Sequence, residues 1–117
     1  MRDMKLYLQD ILEAMAAIES FVGDMDIEAF RNNDMISSAV IRKFEVIGEA
    51  TKNVSEDITQ KYPGVPWKKM AGMRDRLIHS YFGIKYDLVW RTIKEDIPRI
   101  KPLIQNILND LSEGEIS

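Results

Sequence analysis

Apolar residues recur along this chain at helical spacing from end to end. In the first segment Met4, Leu8, Ile11, Met15, Ile18 and Val22 are separated by 4, 3, 4, 3 and 4 positions, which places them on one stripe of a helix. Gly23 and the Asp24–Asp26 pair end that helix and are placed to cap a short second one through about Asn32. Asp34 is positioned as the N-cap of a third helix, whose stripe is Val40, Phe44, Ile47, Thr51 and Val54, with Gly48 available for a close helix approach. One or two helical turns are expected between Ser55 and Lys61, before Tyr62-Pro63-Gly64-Val65-Pro66 breaks the chain.

Pro66 suits the first position of a new helix, where its missing N–H costs nothing. That helix carries Trp67, Met70, Met73, Leu77 and Ile78, and a turn containing Gly83 follows over 80–86. Asp87 is placed to cap the last long helix, with the stripe Trp90, Ile93, Ile97, Ile100, Ile104, Ile107 and Leu111. Pro98 and Pro102 remove hydrogen bonds from it, so a kink is expected near residues 95–98. No strand pattern or internal repeat is visible. The sequence predicts an all-α, up-and-down helical bundle of four to five helices, a single domain over 1–111 with a frayed tail over 112–117. Tyr7, Leu12 and Phe21 lie off the first stripe, and apolar residues on two sides of a helix suggest packing against a second copy, a homodimer.

Composition narrows the function. The chain has 117 residues, 45% of them hydrophobic and 30% charged, the balance of a folded globular domain. With no cysteine and one histidine, neither a disulfide framework nor a metal site is expected. No stretch approaches the roughly 20 apolar residues that span a bilayer, and the start is no signal peptide, so a cytoplasmic protein is expected. The net charge is −3, yet from Lys61 to Arg76 five cations (Lys61, Lys68, Lys69, Arg74, Arg76) face the single anion Asp75, leaving +4 there and −7 elsewhere. Such a run is ordinarily a solvated helix face, but it can also recruit phosphate on an acidic body.

The only histidine, His79, follows Arg74 by five positions and precedes Tyr81 by two. Imidazole takes and gives protons near neutrality, and a guanidinium is a permanent cation whose fork matches phosphate. In RNA the 2′-hydroxyl is a built-in nucleophile. A histidine can deprotonate it, a second acid can protonate the leaving 5′-oxygen, and a fixed cation can stabilise the crowded phosphate. Five residues of ideal helix turn through about 140°, so Arg74 and His79 share no face of one straight helix. A working pair needs the helix to end near His79, or a second copy of the chain to complete the site.

An R-x4-H spacing alone is a weak signal, since a lone histidine near a helix end is commonly a structural hydrogen-bonding residue. The string Met73-Arg74-Asp75-Arg76-Leu77-Ile78-His79-Ser80-Tyr81-Phe82-Gly83, followed by Asp87-Leu88-Val89-Trp90, is more specific. It resembles the HepT toxin family of the HEPN ribonuclease superfamily, which carries R-x4-H-x-Y here. The resemblance extends to Ala39–Ala50, to Tyr62–Trp67 and to Leu6–Leu12. It implies a helical homodimer acting as a metal-independent endoribonuclease without cofactor, and an RNA substrate. It also implies a partner, a nucleotidyltransferase antitoxin of the MntA type, which transfers AMP from ATP to the motif tyrosine.

Carried over to this chain, Arg74 and His79 are the catalytic residues and Tyr81 the site of AMPylation. A phosphodiester and nucleoside on Tyr81 would occupy the phosphate position beside Arg74. Ser80 stands where glycine is expected to be common, which slightly restricts the turn. Asp75, Arg76 and Glu49 are supporting candidates. Arg42, Glu45 and Glu49 share a helix face and can hold Arg74 or Arg76, although intrahelical ion pairs would give the same spacing. Trp67 and Trp90 read as core aromatics, and Tyr62 and Tyr86 as loop-edge packing. The reading from another class is a non-catalytic helical module that docks a nucleotidyltransferase; it would tolerate loss of His79.

Overall fold

Asp3 starts the first helix: its carboxylate accepts a hydrogen bond from the Lys5 amide at 2.9 Å, and α1 (Met4–Val22) follows. The fold is that of a computed structural model describing residues 3–79 and 83–116, without the side chains of 79, 115 and 116. Leu8, Ile11, Met15, Ile18 and Val22 of the expected stripe are all buried. Gly23 ends α1 at φ 50° and donates its amide to the Glu19 carbonyl, a backbone region that glycine enters without a Cβ penalty. Asp26 then caps α2 (Ile27–Arg31) through the Ala29 amide.

The cap of α3 (Asp34–Lys52) is Asn33, one residue before the Asp34 expected. Asn33 accepts from the Ile36 amide at 3.0 Å, while Asp34 enters the first turn, where a negative charge suits the helix dipole. Val40, Phe44, Ile47 and Thr51 are buried along α3, which packs most extensively on α1. The Thr51 hydroxyl is satisfied by the Ile47 carbonyl at 2.6 Å. Gly48 allows the approach anticipated for it: a Cβ there would stand 3.2 Å from the Ala71 carbonyl oxygen.

α4 (Glu56–Lys61) leads into the Pro/Gly break. The indole of Trp67 donates back to the Tyr62 carbonyl at 3.0 Å. Tyr62 in turn donates its hydroxyl to Asp110 at 2.8 Å, tying the break to the last helix. That hydrogen bond to a carboxylate raises the phenol pKa above its ordinary value.

The single helix expected after Pro66 is divided. Pro66 stands at the N-cap position of α5 (Trp67–Ala71), one residue before the first helical position expected for it. Gly72 interrupts at φ −95° and ψ 14°, and α6 (Met73–Leu77) follows. Glycine is among the poorest helix formers, and its amide here turns back to the Lys68 and Met70 carbonyls. Two strands too short for any periodicity also appear, β1 (Ile78–His79) and β2 (Gly83–Ile84). They pair antiparallel, Ile78 opposite Ile84 and His79 opposite Gly83.

The last helical rod comprises α7 (Tyr86–Arg91), a π turn over Thr92–Asp96 and α8 (Ile97–Ile116). Lys85, not Asp87, is its N-cap position, and Asp87 in the first turn pairs with Arg31 of α2. Where a kink was expected near residues 95–98, the rod has a π turn, in which the Ile97 amide donates to the Thr92 carbonyl five residues back. Pro98 lacks the N–H that the Lys94 carbonyl would receive and crowds that carbonyl, so the ladder widens immediately before it. α8 keeps helical geometry through Ile116, beyond the end of its apolar stripe at Leu111. The described residues thus hold eight α-helical segments, more than the four to five expected: Gly72 and the π turn each divide one expected helix, and the short α2 and α4 stand as helices of their own.

Candidate active site

Met73 and Leu77 are fully buried and fix α6 to the core. Arg74 and Asp75 between them face outward: the Arg74 side chain is 56% exposed and that of Asp75 88%. Arg74 Nε lies 3.6 Å from Glu45 Oε1 on α3, and its Nη1 lies 3.6 Å from Asp75 Oδ1. The second oxygen of Glu45 is 3.4 Å from Arg42 Nη1. One carboxylate therefore bridges two guanidinium groups, and both ion pairs of Arg74 are long enough to leave donors free for a phosphate.

α6 stops at Leu77. Ile78 is extended, at φ −117° and ψ 128°, and its amide still donates to the Arg74 carbonyl. The helical phase that would have put Arg74 and His79 on different faces is thereby broken between them. The hairpin is closed at its base by the Lys85 amide, which donates to the Leu77 carbonyl at 2.9 Å. On the return strand Gly83 adopts φ 77°, a value that suits glycine. Tyr81, with Ser80 and Phe82, lies outside the described residues, as does the side chain of His79.

The supporting candidates separate. Glu49 lines the same small cleft as Arg42, Glu45 and Arg74, but its carboxylate pairs with Lys52 at 3.4 Å. Arg76 follows Arg74 by two positions, about 200° around the helix, and faces the π turn instead. There its Nη1 is 3.9 Å from Asp96 Oδ2, with Lys69 Nζ at 3.1 Å from the same oxygen. Arg99 Nη2 approaches Asp96 Oδ1 at 3.6 Å. Trp90 packs on Phe30 at 5.4 Å between ring centroids, in keeping with a core aromatic, and Tyr86 meets the same ring edge-on at 6.2 Å.

Sequence reasoning placed Glu45 on the right face but favoured Glu49, and it missed Asp96. Which glutamate meets Arg74 depends on the Gly72 break and the Gly48 contact, and no local pattern records either result. Nothing in the last helix distinguishes Asp96 from Glu95. Among the described residues no three His, Cys, Asp or Glu side chains gather as a metal site. None of the described helices is long and apolar enough to cross a membrane.

Residues 11–107 match the family described as ribonuclease HepT-like. The chain belongs to the HepT-like ribonuclease family. Two Methanocaldococcus jannaschii proteins named as candidate RNases are similar to it. One is 54% identical over 112 residues, covering 96% of this chain and 97% of the relative. The other is 51% identical over 114 residues, covering 97% and 93%. A Thermococcus cleftensis protein named as a candidate HepT ribonuclease is 47% identical over 100 residues, 86% of this chain and 91% of its own length. No solved structure matches. The HepT-like match contains Glu45, Arg74, His79, Tyr81 and Asp96, so the described site and the motif lie inside the family region.

Proposed function

We propose that this HepT-like chain is the toxin of a toxin–antitoxin pair, a metal-independent endoribonuclease whose site combines Arg74 and His79 of two copies. The observation that carries the reading is the end of α6 at Leu77, which frees His79 from the helical phase of an exposed Arg74. The RNase names of close relatives support the substrate class.

In this mechanism His79 accepts the proton of a ribose 2′-hydroxyl, whose oxygen attacks the adjoining phosphorus. The bond to the 5′-oxygen breaks, that oxygen takes a proton from the other copy's imidazolium, and a 2′,3′-cyclic phosphate remains. Arg74 bonds the non-bridging oxygens as charge gathers on them. Purified protein is expected to cut single-stranded RNA equally well in EDTA; complete loss of cleavage on chelation would reject the metal-free route.

Control of the toxin would act through the motif tyrosine. A partner nucleotidyltransferase of the MntA type would join the Tyr81 phenol oxygen to the α-phosphorus of ATP, releasing pyrophosphate. The added anion and nucleoside then compete with RNA for the Arg74 phosphate position. Tyr81→Phe should retain nuclease activity and escape the partner. Transfer of labelled AMP to that variant, detected by intact mass, would assign the modification to another residue.

A further inference from the structure

The RNA-cutting reading uses Arg74 and leaves the opposite face of α6 without a role. There Lys69, Arg76 and Arg99 converge from α5, α6 and α8 on a single carboxylate, Asp96, whose side chain is 16% exposed. Three cations against one anion leave a surplus of two positive charges. One group in the cluster is also incomplete: Nη1 of Arg76 is shielded from solvent and has no hydrogen-bond acceptor among the described residues, Asp96 being 3.9 Å away. A buried donor without an acceptor costs free energy that an incoming anion can recover. Arg99 remains 61% exposed, so the cluster opens to solvent on its α8 side.

We propose that Lys69, Arg76 and Arg99 form a subsite for a backbone phosphate of the RNA, distinct from the Arg74 position. Asp96 acts as the spacer that keeps three like charges together while the site is empty. Its place in the π turn suits that task, since Lys69 and Arg76 both reach Asp96 from the helices flanking Gly72. A strand engaged here and at Arg74 would straddle α6 and present its scissile phosphate near the end of that helix. The inference rests on the RNA-cutting reading and adds how the substrate is held.

The test is binding of a labelled single-stranded RNA of about 20 nucleotides to protein carrying His79→Ala, titrated across salt concentration. Adding Arg99→Gln or Lys69→Gln is expected to weaken binding about fivefold at low salt. Each should also lower the slope of log Kd against log salt by about 0.7, one phosphate contact on a single strand. Lys101→Gln removes the same charge on the side of α8 that pairs with Glu19 of α1 at 2.7 Å, and should leave the slope unchanged. Arg99 is exposed enough for its variant to fold even if Lys69→Gln does not. Unchanged affinity and slope for Arg99→Gln, in protein that binds RNA, would overturn the subsite alone. Failure of the His79→Ala parent to bind RNA at low salt would overturn the RNA-cutting reading and the subsite with it.

Discussion

Arg74→Ala is expected to reduce RNA cleavage by the purified protein about a hundred- to a thousandfold, with little change in folding. The loss is that of a fixed charge-bearing donor at a transition state. The stability side follows from the environment. Arg74 is more than half exposed, and its two ion pairs, at 3.6 Å each, are surface contacts of the kind that contribute about 0–1 kcal/mol. Alanine keeps the helix propensity of α6, and Met73 and Leu77 on either side still anchor it. A fall in melting temperature beyond about 4 °C, on the order of 1 kcal/mol for a chain of this size, would indicate a structural role instead. Glu45→Gln should cost less, because it weakens only the tether that aims Arg74.

Helices with a strict apolar stripe were legible in the sequence because burial of one face is what fixes them. α1, α3 and α8 follow their stripes closely, and Asp26 caps where the pattern changes. What escaped was set by contacts between distant segments. Asn33 and Asp34 are both competent caps, and the choice rests on which side chain meets the Ile36 amide. Met70 and Met73 fall on one continuing stripe although Gly72 divides their helices, since burial tolerates a change of axis that hydrogen bonding records. Pro98 announced an interruption, but its expression as a π turn depended on Thr92 and Ile97 finding each other.

The site divides along the same line. The R-x4-H-x-Y string offered its candidate residues from sequence, and the need for a helix end between Arg74 and His79 was a deduction from helical phase that the Leu77 terminus meets. Their partners were legible only in part: Glu45 was among the α3 residues read as able to hold Arg74, but Glu49, which pairs with Lys52, was favoured over it. Arg76 stands next to Asp75 in sequence, yet its carboxylate is Asp96, twenty residues away and brought near by the packing of the π turn. Arg74 is joined to Glu45 across a helix contact permitted by Gly48, where a Cβ would crowd the Ala71 carbonyl. Candidate motif residues can therefore be named locally, whereas which carboxylate each one meets belongs to the tertiary structure.

Bacteria lacking the partner gene are expected to stop growing when the wild-type chain is induced, and to continue when His79→Ala is induced. His79 is the only histidine in the chain, so in a two-fold assembly one substitution removes both the base that takes the 2′-hydroxyl proton and the acid that serves the leaving oxygen. General acid–base catalysis contributes about 10²–10⁴-fold for a positioned group, enough to separate a toxic enzyme from an inert one. Arrest should be accompanied by RNA fragments ending in 2′,3′-cyclic phosphate, which distinguishes cleavage by the built-in nucleophile from hydrolysis by water. Growth arrest by both proteins with intact RNA would locate toxicity in binding rather than cutting. Equal growth of both, with soluble protein confirmed, would favour the helical module that docks a nucleotidyltransferase, because such a module has no use for a proton-transfer group at residue 79.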